Sequence, residues 1–281
     1  MKLLIIKVEP MKLAKIINIE SQCVITVKLI TYLPVSRLND IEEYQVKNIK
    51  LLRPESFIIF VGHLKDTSHV SAIIHDIVKD LVEVQVYAVN VGNKSETLLM
   101  SLEVAKPEDV IVDSDVVLSE DFVNYYKRVL NMQYKLAGVA DAKSKPTMRD
   151  FSCNDFICTK IVLNKRGHSP VFFGPKQAII VNHEVDKRAI SALFNAIHNI
   201  PKQIRDCIAD ETILGLYALM IGQQVTPWLP VAYNALASGG SDACNRHIRA
   251  YAHYLLFKAI HINGLPKFIK TRYFISALIH W

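Results

Sequence analysis

The sequence predicts an α+β fold, predominantly helical in its C-terminal half, with a small strand-containing N-terminal region followed by a helical lobe. Three observations predict it. Runs rich in Val, Ile, Tyr and Phe crowd the first third of the chain, at 21–33, 57–62 and 83–92. From residue 183 onward, apolar residues recur at helical spacing instead. The 281 residues are 51% apolar, enough for a substantial core and too apolar for a disordered chain.

Between the second and third runs, Thr67 or Ser68 can cap a helix over 67–82 with Val70, Ile73, Ile74, Ile77 and Leu81 on its apolar side. That strand, helix, strand order can give a parallel pair. Ser119, followed by Glu120 and Asp121, starts a helix that turns Phe122, Tyr125, Tyr126, Val129 and Leu130 inward and is expected to end near Gly138. Residues 139–182 mix charge, Pro and Gly around "NKRGHSP" and read as an exposed arm or hairpin. Val185, Ala189, Leu193, Ala196, Ile197 and Ile200 then form one stripe, and Pro201 opens a short helix. Asp210 can cap the apolar run 211–222, and Thr226-Pro227 reads as the start of another helix. The expected organisation is 1–138, an α+β region; 139–182, the arm; and 183–281, the helical lobe.

Neither secretion nor membrane insertion is indicated. The first apolar run stops at Lys7, and the longest, 212–222, falls short of the ~20 residues a membrane crossing needs. Five scattered cysteines do not suggest a disulfide framework, so reduced thiols and an intracellular site, cytoplasmic or nuclear, are expected.

Chemistry-bearing motifs are sparse. No phosphate-cradling glycine loop and no GxSxG elbow occurs. His183-Glu184 lacks the second histidine of a zinc-protease helix, where Lys187 stands, and Cys153, Cys158 and His168 lack metal-site spacing. His63, His69 and His75 share no helical face. The acids Asp113 and Asp115, and Glu108 and Asp109, read as solvated turn charges or caps. No catalytic residue, metal or cofactor is therefore expected, and the protein reads as a non-enzyme.

Charge is the one strong asymmetry. Asp242 is the last acid, and the 39 residues after it carry six bases. The remaining 27 bases balance all 27 acids, so the net charge of +6 belongs to this tail. Arg246 and Arg249, with His253, follow a progression along one face of a helix over 246–261; Lys258 follows, then Lys267, Lys270 and Arg272 after a turn. Lys165 and Arg166 belong to a second basic cluster. Such a row suits phosphates of any sequence, so single-stranded RNA is the expected partner, bound by Arg246, Arg249, Lys258, Lys267, Lys270, Arg272, Lys165 and Arg166.

The tail from Asn245 to Leu278, with "ILGLYALMIGQQVTPWLPVAYNALAS" and "VYAVNVGNKSETL" upstream, resembles rhabdovirus nucleoproteins of negative-strand RNA viruses. The resemblance implies an RNA-coating nucleocapsid protein that self-associates into an oligomer in the ribonucleoprotein and the virion, and meets a viral phosphoprotein. It makes Arg246, Lys258 and Lys267 groove bases; the other tail bases are added on charge and spacing. Two departures are visible: Ala218, Leu219 and Met220 stand where a base is expected, and the chain stops where a second lobe would begin, as in a truncated or endogenous relative. The alternative weighed is an α+β ligand-sensing or enzymatic domain coupled to a helical nucleic-acid-binding end.

Overall fold

The computed structural model describes residues 5–7, 27–62, 67–89, 94–131, 136–141, 178–208, 210–221, 224–225, 230–234 and 246–260. Four parallel strands form its centre: β2 (Lys28–Pro34), β3 (Ser56–Gly62), β4 (Glu83–Val89) and β5 (Val110–Asp113). β3 pairs in parallel with both β2 and β4, and β2 also pairs in parallel with β5. β1 (Ile5–Lys7) adds an antiparallel edge to β4. On the other side β8 (Ala178–Val181) runs antiparallel between β5 and β7 (Leu136–Asp141). β9 (Gln224–Val225) and β10 (Pro230–Asn234) follow along β7, and β10 also carries β6 (Val116–Leu118).

Strand alternation divides the core. Phe57, Ile59 and Val61 of β3 join Leu29, Leu33, Val110, Val112 and Ile180 on one face; Ile58 and Phe60 join Ile30, Tyr32, Ile111 and Ile179 on the other. Each face is covered by helices. The first packs α1 (Val46–Leu52), α2 (Thr67–Val78) and α4 (Glu120–Leu130). The second packs α3 (Lys94–Val104), α5 (Lys187–His198), α7 (Asp210–Ile221) and α8 (Arg246–Ala259); a short α6 (Lys202–Arg205) links α5 to α7. Burial on both faces explains why β2 and β3 read as continuous apolar runs.

The mixed strand and helix content expected from sequence holds, as do the helices at 67–78, 120–130, 187–198 and 246–259. Other expectations need correction. The helix from Glu120 stops at Leu130, and Leu136–Asp141 form β7 because β8 offers a pairing edge. The helix expected after Thr226-Pro227 gives way at 230–234 to β10, held between β7 and β6; strand pairing overrides the local helix signal there. Cys207 is disulfide-bonded, against the expectation of reduced thiols; the other four cysteines, and the "NKRGHSP" arm, lie outside the described residues. No helix among the described residues is long and apolar enough to cross a membrane.

Candidate active site

The chain lays down β2, β3 and β4 outward in one direction, then returns across β2 to place β5 on its other side. Strand order reverses between β2 and β5, where open parallel sheets form a ligand crevice at the carboxyl ends of the strands. At that end Tyr32 of β2 is the register partner of Asp113, the last residue of β5. The Tyr32 hydroxyl donates to Asp113 Oδ1 and, at 3.0 Å, to Asp210 Oδ2.

Lys94 joins the same cluster from the first residue of α3. Its ammonium lies 3.0 Å from Asp113 Oδ2, 3.0 Å from Asp210 Oδ2, and 5.4 Å from the centre of the Tyr32 ring. Packing explains why residues so far apart in sequence meet. Ser95 Oγ donates to the Ile208 carbonyl at 2.8 Å, tying the start of α3 to the segment that leads into Asp210. Behind it, Glu96 is buried and lies 3.5 Å from the Arg205 guanidinium.

Beyond β5 the chain turns through Asp113, Ser114 and Asp115 into β6. This turn is gripped from within by the segment before α1, where a wide π-type turn over Ile41–Gln45 precedes the helix. Gln45 Nε2 donates to the carbonyls of Asp113 (3.0 Å) and Ser114 (2.8 Å), and Asn48 Nδ2 donates to that of Val116 (2.7 Å) while its Oδ1 accepts from Leu118 N (2.8 Å). Ser114 Oγ donates to Asp40 Oδ2 at 2.8 Å, and Arg37 Nη2 lies 2.8 Å from Asp40 and 3.1 Å from Asp115. The turn is therefore fixed at both of its carboxylates and along its backbone.

Electrostatics follow from this burial. Asp113 ionises above the ordinary carboxylate range: burial favours the neutral acid, Lys94 opposes that, and the Asp210 carboxylate adds to it. Burial, reinforced by Asp113 and Asp210, holds the Tyr32 hydroxyl protonated well above its usual range. Asp40 is also raised, burial outweighing the Ser114 hydrogen bond and Arg37. A cleft with acids displaced by burial beside a specific cation is a recurrent mark of function.

A divalent cation fits the donor set. Asp113 and Asp115 offer hard oxygen ligands two residues apart, each with acceptor capacity beyond the contacts described. No group of three or more His, Cys, Asp or Glu side chains able to hold a metal occurs among the described residues. Two carboxylates suit a cation completed by oxygen ligands from outside the protein rather than an all-protein cage.

Sequence reasoning missed this site. Asp113 and Asp115 read as solvated turn acids, yet their side chains are only 12% and 14% exposed. The available signal was an acid pair directly after the β-branched run 110–112 in a strand and helix alternation. Asp210 read as a helix cap and does open α7, with its carboxylate on Lys94 and Tyr32. Lys94 and Tyr32 carried no local signal. Asp109, also read as a turn acid, is buried and accepts from the backbone N–H groups of Lys28 and Lys106, a structural role. Glu108 is exposed and left-handed.

Of the residues expected to bind RNA, Arg246, Arg249 and Lys258 lie on α8, with Lys258 exposed. Lys165, Arg166, Lys267, Lys270 and Arg272 lie outside the described residues. His253, expected on the basic stripe, is buried with its Nε2 3.3 Å from Thr212 Oγ1, whereas Ile248 of the same helix is 40% exposed.

Neither a family model nor a curated protein sequence matches the chain. Solved structures do. A mannosyltransferase from Pyrobaculum calidifontis, PcManGT, in complex with GDP-Man and Mn2+ is similar over 92% of this chain and 71% of its own, at 19% identity and a TM-score of 0.56. S. aureus TarS 1–349 in complex with UDP-GlcNAc is similar over 90% of this chain and 71% of its own, at 12% identity and 0.54; its complex with UDP gives 0.51 at 12% identity over 90% and 70%. At these identities the likeness is one of fold. It overturns the nucleoprotein reading. Within the segment taken for a nucleoprotein strand, "VYAVNVGNKSETL", the residues up to Val89 end the parallel strand β4 and those from Lys94 start α3, which delivers Lys94 to the acid cluster. With that reading go the non-enzymatic nucleocapsid role and the RNA and phosphoprotein partners.

Proposed function

We propose that the protein is a glycosyltransferase that moves a sugar from a nucleoside-diphosphate donor to an acceptor hydroxyl. The observation that carries this reading is the Asp113-Ser114-Asp115 turn at the switch point of the parallel sheet, with Asp210 and Lys94 converging on it. The fold shared with transferases solved with GDP-Man and Mn2+ or with UDP-GlcNAc supports it. The enzymatic alternative weighed from sequence is the reading supported, with a sugar nucleotide in place of nucleic acid.

Asp113 and Asp115 would hold a divalent cation, which when bound neutralises charge on the leaving diphosphate. Lys94 places a cation between Asp113 and Asp210 and offsets the repulsion of the two carboxylates. Asp210 is positioned at the start of α7, where the helix dipole favours a carboxylate. It takes the proton from the acceptor hydroxyl as that oxygen bonds to the anomeric carbon. The bond from that carbon to the diphosphate oxygen breaks, and its electron pair leaves with the nucleoside diphosphate. The Tyr32 hydroxyl, held protonated by burial, donates to both carboxylates and fixes their spacing.

The test is thermal unfolding and nucleoside-diphosphate release with a panel of UDP-, GDP- and dTDP-sugars, with and without Mn2+. A donor at about 100 times its dissociation constant adds about 2.7 kcal/mol, a rise in Tm of roughly 5–10 °C for a chain of this size. A panel in which no donor raises Tm and none is turned over refutes the proposal.

A further inference from the structure

The acid turn is held by two side-chain amides from within the core. Gln45 and Asn48 are wholly buried polar residues, and their amides are spent almost entirely on the backbone of residues 113–118. Asn48 Nδ2 also donates to Gln45 Oε1 at 3.1 Å, so the two amides act as one unit. A buried side-chain amide that serves a regular helix or strand is unusual, because backbone groups normally satisfy each other. Here the Asp113 carbonyl ends β5 and the Ser114 carbonyl lies in the turn beyond it, and Gln45 supplies a donor to each. The wide turn over Ile41–Gln45 adds one residue to the helical path and delivers that amide to the turn. Such single wide turns concentrate at functional sites.

We infer that Gln45 is a positioning residue for the nucleoside-diphosphate and divalent-cation site, holding the Asp113-Ser114-Asp115 backbone so that both carboxylates face the crevice together. The inference rests on the glycosyltransferase reading. Gln45 touches neither carboxylate. It acts through the two carbonyls, while Asp40 and Arg37 constrain Ser114 and Asp115 from the side-chain direction. Cation affinity depends steeply on ligand placement, and outer partners of metal ligands commonly contribute 10- to 100-fold.

The test substitutes Gln45→Met, which keeps length and removes the amide donor, and titrates Mn2+ with GDP and with UDP by calorimetry and by loss of the free Mn2+ resonance signal. The expected result is a Mn2+–nucleotide dissociation constant raised about 10-fold or more, with nucleotide binding in the absence of Mn2+ unchanged and a native circular-dichroism spectrum. A variant that loses thermal stability but binds Mn2+ and nucleotide with the wild-type constant overturns the inference and leaves Gln45 a purely structural residue. If Gln45→Met does not fold, Asn48→Ser carries the same measurement, with a several-fold weakening expected and an unchanged constant overturning it. Wild-type protein that binds neither Mn2+–GDP nor Mn2+–UDP overturns the inference too, but through failure of the underlying reading, an outcome visible before any variant is made.

Discussion

Replacing Lys94 with methionine removes the cation at the centre of the acid cluster. Its ammonium lies 3.0 Å from Asp113 Oδ2 and 3.0 Å from Asp210 Oδ2. At that separation Coulomb's law gives about 1.4 kcal/mol per pair in water and about 5.5 kcal/mol at an effective dielectric constant near 20. The lysine side chain is 53% exposed, so the aqueous limit governs and each pair is worth about 1 kcal/mol. Losing both takes about 2 kcal/mol from the doubly ionised pair, about 1 kcal/mol for each carboxylate, and so moves its apparent titration upward. The assay is nucleoside-diphosphate release across about pH 4 to 9, where the acid limb reports the essential carboxylates. That limb moves up in Lys94→Met and returns toward wild type in Lys94→Arg. Stability gives a second readout with a definite sign. Asp113 has a folded pKa raised above its unfolded value, chiefly by burial, so the folded state binds more protons and stability falls as pH rises through the folded value. Loss of Lys94 raises that value further, so the deficit in Tm relative to wild type is smallest near pH 4 and largest near neutrality. An acid limb that stays in place, with a Tm deficit independent of pH, refutes the assignment of Lys94 as the counter-ion.

Asp113→Asn and Asp115→Asn each lower Mn2+-dependent turnover by about 100-fold; at neutral pH Asp113→Asn still melts close to the wild-type temperature, because burial disfavours the carboxylate it replaces. Tyr32→Phe removes a hydroxyl shared by two carboxylates and costs about 2 kcal/mol in urea unfolding. Arg205→Met strands the buried Glu96 and destabilises by about 3–5 kcal/mol, and Glu96→Gln in the same chain recovers much of the loss; equal instability of single and double variants sinks the ion-pair account.

The legible part of this fold was its local part. The runs at 57–62 and 83–92 became β3 and β4, and the helix between them made their parallel pairing foreseeable. The stripe from Val185 to Ile200 and the acid-started helix at Glu120 became α5 and α4 for the reasons their spacing gives. What failed depended on pairing between distant segments. β10 is a strand because β6 and β7 flank it, and no window around Pro230 contains that information. The basic stripe was legible only as charge: composition reports charge without orientation, and His253 turns inward to Thr212.

The acid site was hidden for a physical reason. An aspartate in a solvated turn and one at the end of a buried parallel strand have the same neighbours in sequence, since both follow β-branched residues and precede a change of direction. What separates them is desolvation, and desolvation here is imposed from elsewhere. Tyr32 reaches Asp113 across 81 residues and Asp210 across 178. Ser95 reaches the segment before Asp210 across 113. The amides that pin the turn come from Gln45 and Asn48, more than 65 residues upstream. Burying carboxylates in this way works against stability, so a fold that keeps Asp113 and Asp210 within reach of one ammonium and one phenol holds them against a cost that turn acids do not bear. That opposition between local economy and long-range arrangement is what the proposed chemistry requires, and it is why Asp113, Asp210, Lys94 and Tyr32 became recognisable as a site only once the strand order was known.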